Sequence, residues 1–374
     1  MVCVCAFANV IESLCKPRAM LEEATRRLLP LETGEFIAQQ SHDVSISTNG
    51  VHAVAELLID SLSEGNFNLS SWRDQNILHP REANESAVNW VFVVDTLNFS
   101  FWSESEEQKY LVHYGGQVHG GYWALCAAIN RALDEGVMDH CVTLQHGIPI
   151  TSAAYYSQMS LDELAYVLRS DSDTAIPLLR ERHGALTESG SVLQQHYNGS
   201  FLSCLRKSER SAQRLLHLII TGFSSFRDEG IFQGQPVSFY KRAQILVADL
   251  WGCFQGQGDA AFVDIDSITM FADYRVPQAL AYLGALKYSD GLLKKLKEGV
   301  NFSSGDTEEM EIRGCSIWCV ELISKHVGTL LANKGTDSLK QNAVLVDYWL
   351  WSYARGHRKE LAGIPFHRVR CIYY

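Results

Sequence analysis

The chain has 374 residues, of which 47% are hydrophobic and 20% charged, with a formal net charge of -11. That composition builds a sizeable core, and its acidity argues against a partner held mainly by neutralising a run of phosphates, which needs many Lys and Arg contacts. No apolar run approaches the roughly 20 residues that span a bilayer.

The opening "MVCVCAFANVIESLCKPR" starts apolar but has no basic n-region and carries Glu12 inside the would-be apolar stretch, so it does not read as a signal peptide. Residues 1–30 are taken as an N-terminal extension of unknown role, and 31–374 as one domain that could be built from two closely packed lobes. "GVHAVAELLIDSL" (50–62) places Val51, Val54, Leu57, Leu58 and Leu62 on one helical stripe. "WVFVVDTLNFSFW" (90–102) is rich in β-branched and aromatic residues and fits a strand or a buried helix equally well. "QKYLVHYGG" (108–116) alternates briefly, which leaves room for a small β-hairpin. "HYGGQVHGGYW" (113–123) is glycine-rich ahead of a helix but has the spacing of neither phosphate-binding fingerprint, so a structural turn is expected.

Helices are expected over 122–136, over 161–170 behind a capping box of Ser160 and Glu163, and over 211–223, 240–254, 276–286, 308–327 and 338–354. Turn chemistry marks breaks at 255–259, 303–306 and 333–337. With no repeat and no clear linker, the fold class is mostly α.

Ten cysteines lie at 3, 5, 15, 126, 141, 204, 253, 315, 319 and 371 without a CxxC pair, a pattern read as reduced thiols in a cytoplasmic protein. Thirteen histidines include no HExxH, so no metal and no redox cofactor is expected. His79 precedes Pro80 in a loop, where a histidine either sits in solvent or lines a pocket. "NFSFW" (Asn98, Phe99, Ser100, Phe101, Trp102) crowds three aromatic rings together, either as core or as a stacking wall for a planar ligand.

The stretch "GQPVSFYKRAQILVADLWGCF" (234–254) puts Lys241 at the mouth of an apolar helix after a Gly and Pro turn, and about thirty residues later comes "ITMFADYRVPQAL" (268–280). This arrangement resembles the helix-hairpin-helix DNA glycosylases, in which a hairpin precedes an Asp leading into the next helix. Breaking an N-glycosidic bond builds positive charge on the sugar, and a fixed carboxylate stabilises that charge or activates water. Asp273 is either that carboxylate or simply a helix cap ahead of Pro277.

A closer resemblance rests on several long segments: "VNWVFVVDTLNFSFW" (88–102), "GYWALCAAINRALDEG" (121–136), "FYKRAQILVADLWG" (239–252), "DIDSITMFADYRVPQALAYLGAL" (264–286) and "PFHRVRCIYY" (365–374). Together they are similar to the queuosine salvage family, N-glycosylases/hydrolases that release the base queuine from queuosine 5'-monophosphate. The resemblance implies a helical glycosylase-like fold acting on a mononucleotide instead of a polymer, with Asp273 as the catalytic carboxylate. It points to His79, Asn98, Phe99 and Trp102 near the base, and to Asp264 and Asp347 as partners for its polar groups. Cations for the phosphate are sought among Lys241, Arg242, His367, Arg368 and Arg370. A DNA base-excision glycosylase of the same fold and a non-catalytic helical binding module are the alternatives.

Overall fold

The computed structural model describes residues 26–63, 68–74, 76–105, 107–139, 142–334 and 341–374. The expected extension therefore lies outside the described residues up to residue 25, as do the turn at 335–337 and the start of the helix expected from 338. The longer helices are α1 (Pro30–Gln40), α2 (Thr48–Ser63), α3 (Glu85–Thr96), α4 (Tyr122–Asp134), α5 (Leu161–Val167), α6 (Leu179–His196), α7 (Phe201–Lys207), α8 (Ala212–Gly222), α9 (Lys241–Cys253), α10 (Arg275–Tyr282), α11 (Asp290–Lys297), α12 (Thr307–Asn333) and α13 (Ala343–Gly356). Among the described residues every sheet is a two-stranded pair: β1 (Val44–Ile46) with β8 (Leu286–Tyr288), β2 (Leu111–Tyr114) with β3 (Gln117–Gly120), β4 (Gly136–Asp139) with β5 (Val142–Gly147), β6 (Glu229–Phe232) with β7 (Gln235–Ser238), and β9 (Asn301–Phe302) with β10 (Arg368–Val369). Among these pairs only β9–β10 is parallel.

Capping decides the segment that periodicity left open. Asn84 accepts from the Ala87 N–H at 3.0 Å and starts α3, so the run through Thr96 is a helix buried on nearly all sides. The hairpin β2–β3 turns at Gly115 and Gly116, both at positive φ, which accounts for the glycine-rich stretch as backbone geometry. The capping box forms as expected: Ser160 accepts from the Glu163 N–H, and the Glu163 carboxylate accepts from Ser160.

Helix α6 carries no apolar stripe of ordinary width. Its buried face is Arg182, Ala185, Leu186, Ser189, Gly190 and Leu193, half of them small residues. A Cβ on Gly190 would lie 2.7 Å from the Tyr156 ring, so the helix packs by close approach instead of by large side chains. Likewise α1 and α12 meet through Gly34 against Ile317 and Gly314 against Ile37.

The core forms two clusters. One gathers the apolar faces of α3, α4, α8 and α9, with Phe92 stacked on Phe201 at 4.4 Å; the other gathers α2, α10, α12 and α13. Between them runs the extended segment Ile268–Asp273, ahead of α10.

Candidate active site

Three helices each fix one point of that segment. From α9, Gln244 accepts from the Thr269 N–H at 3.0 Å and donates to the Thr269 hydroxyl at 2.9 Å. From α13, the Asp347 carboxylate accepts from the Phe271 N–H at 2.9 Å. From α12, the Arg313 guanidinium donates to the Ala272 carbonyl at 2.9 Å. Arg313 is itself buried, paired with Asp228 and Glu309 and sandwiched by the rings of Phe239 and Tyr374. Asp228 also accepts from the Lys241 N–H, so one ion-pair network ties the start of α9 to the loop that carries Asp273.

This segment forms part of the wall of a cavity of about 970 Å³. Asp273, 9% exposed, uses its two oxygens differently. Oδ1 accepts from the first N–H groups of α10, those of Arg275 and Val276, at 2.9 Å each. Among the described residues no hydrogen bond reaches Oδ2, and Asp273 lines the cavity. The sequence posed a cap against a pocket carboxylate; the side chain is both.

Lys241 lines the same cavity, 6% exposed, and its ammonium makes no hydrogen bond or ion pair among the described residues. Burial lowers its pKa, opposed first by the charge of Asp273. Burial raises the pKa of Asp273, opposed by Lys241 and by the two N–H donors. Asp347, 4% exposed, is pushed well above the usual carboxylate range by burial and then by the Asp273 charge, with one N–H donor against it. The difference in donors separates the two acids: Asp273 is the better supported anion and Asp347 the better proton holder.

His79, Asn98, Phe99 and Trp102 also line the cavity. His79 is buried with Nδ1 2.7 Å from the Trp72 carbonyl, which requires N–H there, and Nε2 3.0 Å from the Tyr122 hydroxyl, which therefore donates to it. Burial holds this ring neutral, with its pKa lowered to about 4. The Asn98 amide donates to Asp95, and the Trp102 indole N–H donates to the Val369 carbonyl at 2.8 Å. Arg182, fully buried on α6, donates to the Leu97 and Phe99 carbonyls and lies over the Phe99 ring, which sets the shape of this loop.

Asp264 is not brought to the cavity. Its carboxylate accepts from the Ser211 hydroxyl at 2.7 Å and from the Ala212 and Gln213 N–H groups, satisfying the start of α8. Among the phosphate-directed candidates, only Lys241 lines the cavity. Arg242 is spent on the carbonyls of Asp95, Thr96 and Ser225; His367 is buried; Arg370 stacks on Trp102 and donates to Ser100.

The residue that sequence reading missed is Asp249, two turns along α9 from Lys241 and on the cavity wall. It accepts from the Tyr348 hydroxyl at 2.8 Å, and burial raises its pKa to about 6. Behind it lies the fully buried Asp95, raised further by burial and by the Asp249 charge. The i, i+8 spacing from Lys241 was the available signal, but an aspartate inside an apolar stripe looks no different from a buried structural acid until the cavity is seen.

The cavity thus sets an N–H-supported carboxylate in the company of Asp347, whose neutral form burial favours, with a buried lysine and aromatic walls. Such a site suits a flat polar ligand that develops positive charge on one atom. Among the described residues no group of three or more His, Cys, Asp or Glu is disposed to hold a metal ion. The family model for the queuosine salvage protein matches residues 78–374. The chain is 53% identical over 348 residues to the queuosine 5'-phosphate N-glycosylase/hydrolase of Bos taurus, covering 93% of this chain and 99% of that protein. It is 52% identical to the protein of the same name from Mus musculus and 43% identical to that from Nematostella vectensis, each over 93% of this chain and 99% of the relative. The chain belongs to the queuosine salvage protein family.

Proposed function

We propose that this protein hydrolyses the N-glycosidic bond of queuosine 5'-monophosphate, giving queuine and ribose 5-phosphate, with water as the only co-substrate. The observation that carries this reading, beside the family, is the free Oδ2 of a buried, N–H-supported Asp273 on the wall of a cavity of nucleotide size. As the C–N bond breaks, the electron pair leaves with the base and positive charge gathers on the ribose; Asp273 opposes that charge and orients the water that ends it. Queuine is a deazapurine without a ring N7, so its departure cannot be eased by a proton on that atom, and the weight falls on stabilising the sugar.

Asp347 and Asp249 offer carboxyl groups to the polar edges of the base, and the rings of Phe99 and Trp102 with the neutral His79 offer flat walls. Lys241 favours the ionised form of Asp273 against the effect of burial and neutralises part of the local charge. The helical frame is read as related to the helix-hairpin-helix glycosylases, with a β-hairpin (β6–β7) leading into α9. A mononucleotide in the cytoplasm, not a nucleic-acid polymer, is the fitting substrate for so acidic a chain. Incubation of purified protein with queuosine 5'-monophosphate, followed by chromatography, should show queuine and ribose 5-phosphate in equal amounts; a preparation that folds and releases no queuine overturns the assignment.

A further inference from the structure

We propose that Arg355 and Arg358, with Arg275 on the wall of the same cavity, form the subsite for the 5'-phosphate of the substrate at the cavity rim. The inference rests on the hydrolytic reading above and extends it to the anionic end of the ligand.

The argument starts from one face of α13. Asp347, Trp351 and Arg355 are spaced at i, i+4 and i+8, and Arg358 follows just past the helix end; all four line the cavity. At about 1.5 Å per residue, Arg355 lies about 12 Å along the axis from Asp347. Along that distance the lining passes from a buried acid whose neutral form burial favours, through an indole, to exposed arginine residues. The arrangement matches a ligand whose neutral polar end goes deep and whose anionic end stays near solvent.

Arg355 is held by stacking, its guanidinium 4.9 Å from the Trp123 ring centroid and 4.8 Å from that of Trp351. Stacking fixes the plane of the group and leaves its N–H donors available. The Arg275 guanidinium lies over Phe366 at 4.5 Å and, among the described residues, donates only to the Gln278 side chain. Among the described residues none of the three forms an ion pair with a carboxylate, although the chain carries 43 acidic residues against 32 basic ones. Arg358 adds to the positive field at Arg355 and lowers its pKa after burial does. Planar, always charged donors with no carboxylate partner suit a phosphate dianion.

The deep cation is a poorer candidate. Lys241 faces Asp273, Asp95 and Asp347, a surrounding that repels a dianion.

The test compares kcat/KM for queuosine 5'-monophosphate with that for queuosine, the same compound without the phosphate. The ratio should fall by about tenfold to a hundredfold in Arg355→Gln and further in the Arg355→Gln/Arg358→Gln double variant, at unchanged thermal unfolding. A ratio equal to that of the unsubstituted protein overturns the subsite while leaving the hydrolytic reading intact. Calorimetric titration with ribose 5-phosphate separates the two further: the unsubstituted protein should bind it and the double variant should not, whether or not any queuosine compound is cleaved. Equal binding by both proteins also overturns the subsite.

Discussion

Asp273→Asn isolates charge from architecture. Both hydrogen bonds to the start of α10 go to Oδ1, an atom that asparagine retains, and asparagine serves as well as aspartate at a helix start. What changes is Oδ2, the atom without a hydrogen-bond partner among the described residues, which becomes a neutral amide. For a carboxylate and a developing cation about 4 Å apart at an effective dielectric of about 20, the lost attraction is about 4 kcal/mol, or about a thousandfold in rate. The folded state should lose nothing, because the departing charge is one that burial already disfavours. The assay is kcat/KM for queuine release beside thermal unfolding of the same preparation. Activity within about tenfold of the unsubstituted protein, at equal unfolding temperature, would refute an electrostatic role for this carboxylate. Asp273→Ala serves as the contrast, since it removes the cap as well and should cost about 1 kcal/mol of stability in addition.

Three further outcomes are expected. Lys241→Met removes the cation that lowers the Asp273 pKa, so the acid limb of the pH profile of kcat/KM should move to higher pH; a limb that stays or moves down contradicts the pairing. Asp249→Asn should stabilise the protein at neutral pH. The folded state holds the Asp249 proton up to about pH 6, whereas the unfolded chain releases it near 3.8, so stability falls as pH rises through that window, and removing the acid recovers about 3 kcal/mol above it and almost nothing below it. Denaturant unfolding at the two extremes measures the difference, and an equal effect at both would count against the raised pKa. Arg313→Met leaves Asp228 and Glu309 buried without their cation and should cost about 3–5 kcal/mol in denaturant unfolding; a loss under about 1 kcal/mol would show that the network does not hold the Asp273 loop.

How much of this was legible in the chain depends on whether the deciding interaction is local. Helices with a broad apolar stripe, such as α2, and the box at Ser160 are written in neighbouring residues, and the structure forms them where the pattern lies. Helix α6 was missed because its burial rests on small residues meeting Tyr156, a tertiary fact without a hydrophobic signature. The segment 90–102 was ambiguous because burial on nearly all sides erases any period, and the cap at Asn84 was the overlooked arbiter. In the site, Asp273, Lys241, Asp347, His79, Asn98, Phe99 and Trp102 converge on the cavity from distant parts of the chain. Asp264 and Asp249 exchange places: the first sits in an acidic loop and turns to a helix start, while the second hides within an apolar helix and faces the cavity. Two buried arginines, Arg182 and Arg313, bind loop carbonyls across long sequence separations, which no local pattern announces.

The divided duty of the Asp273 side chain constrains what could ever replace it. Glutamate would keep the charge but, one methylene longer, would move it along the cavity and lose the fit to two successive amides; serine would hold the amides and abandon the charge. Asparagine preserves the shape alone. Only a short, ionised side chain meets both demands at once, so the position of the negative charge is fixed by the same two contacts that let the polypeptide begin its next turn.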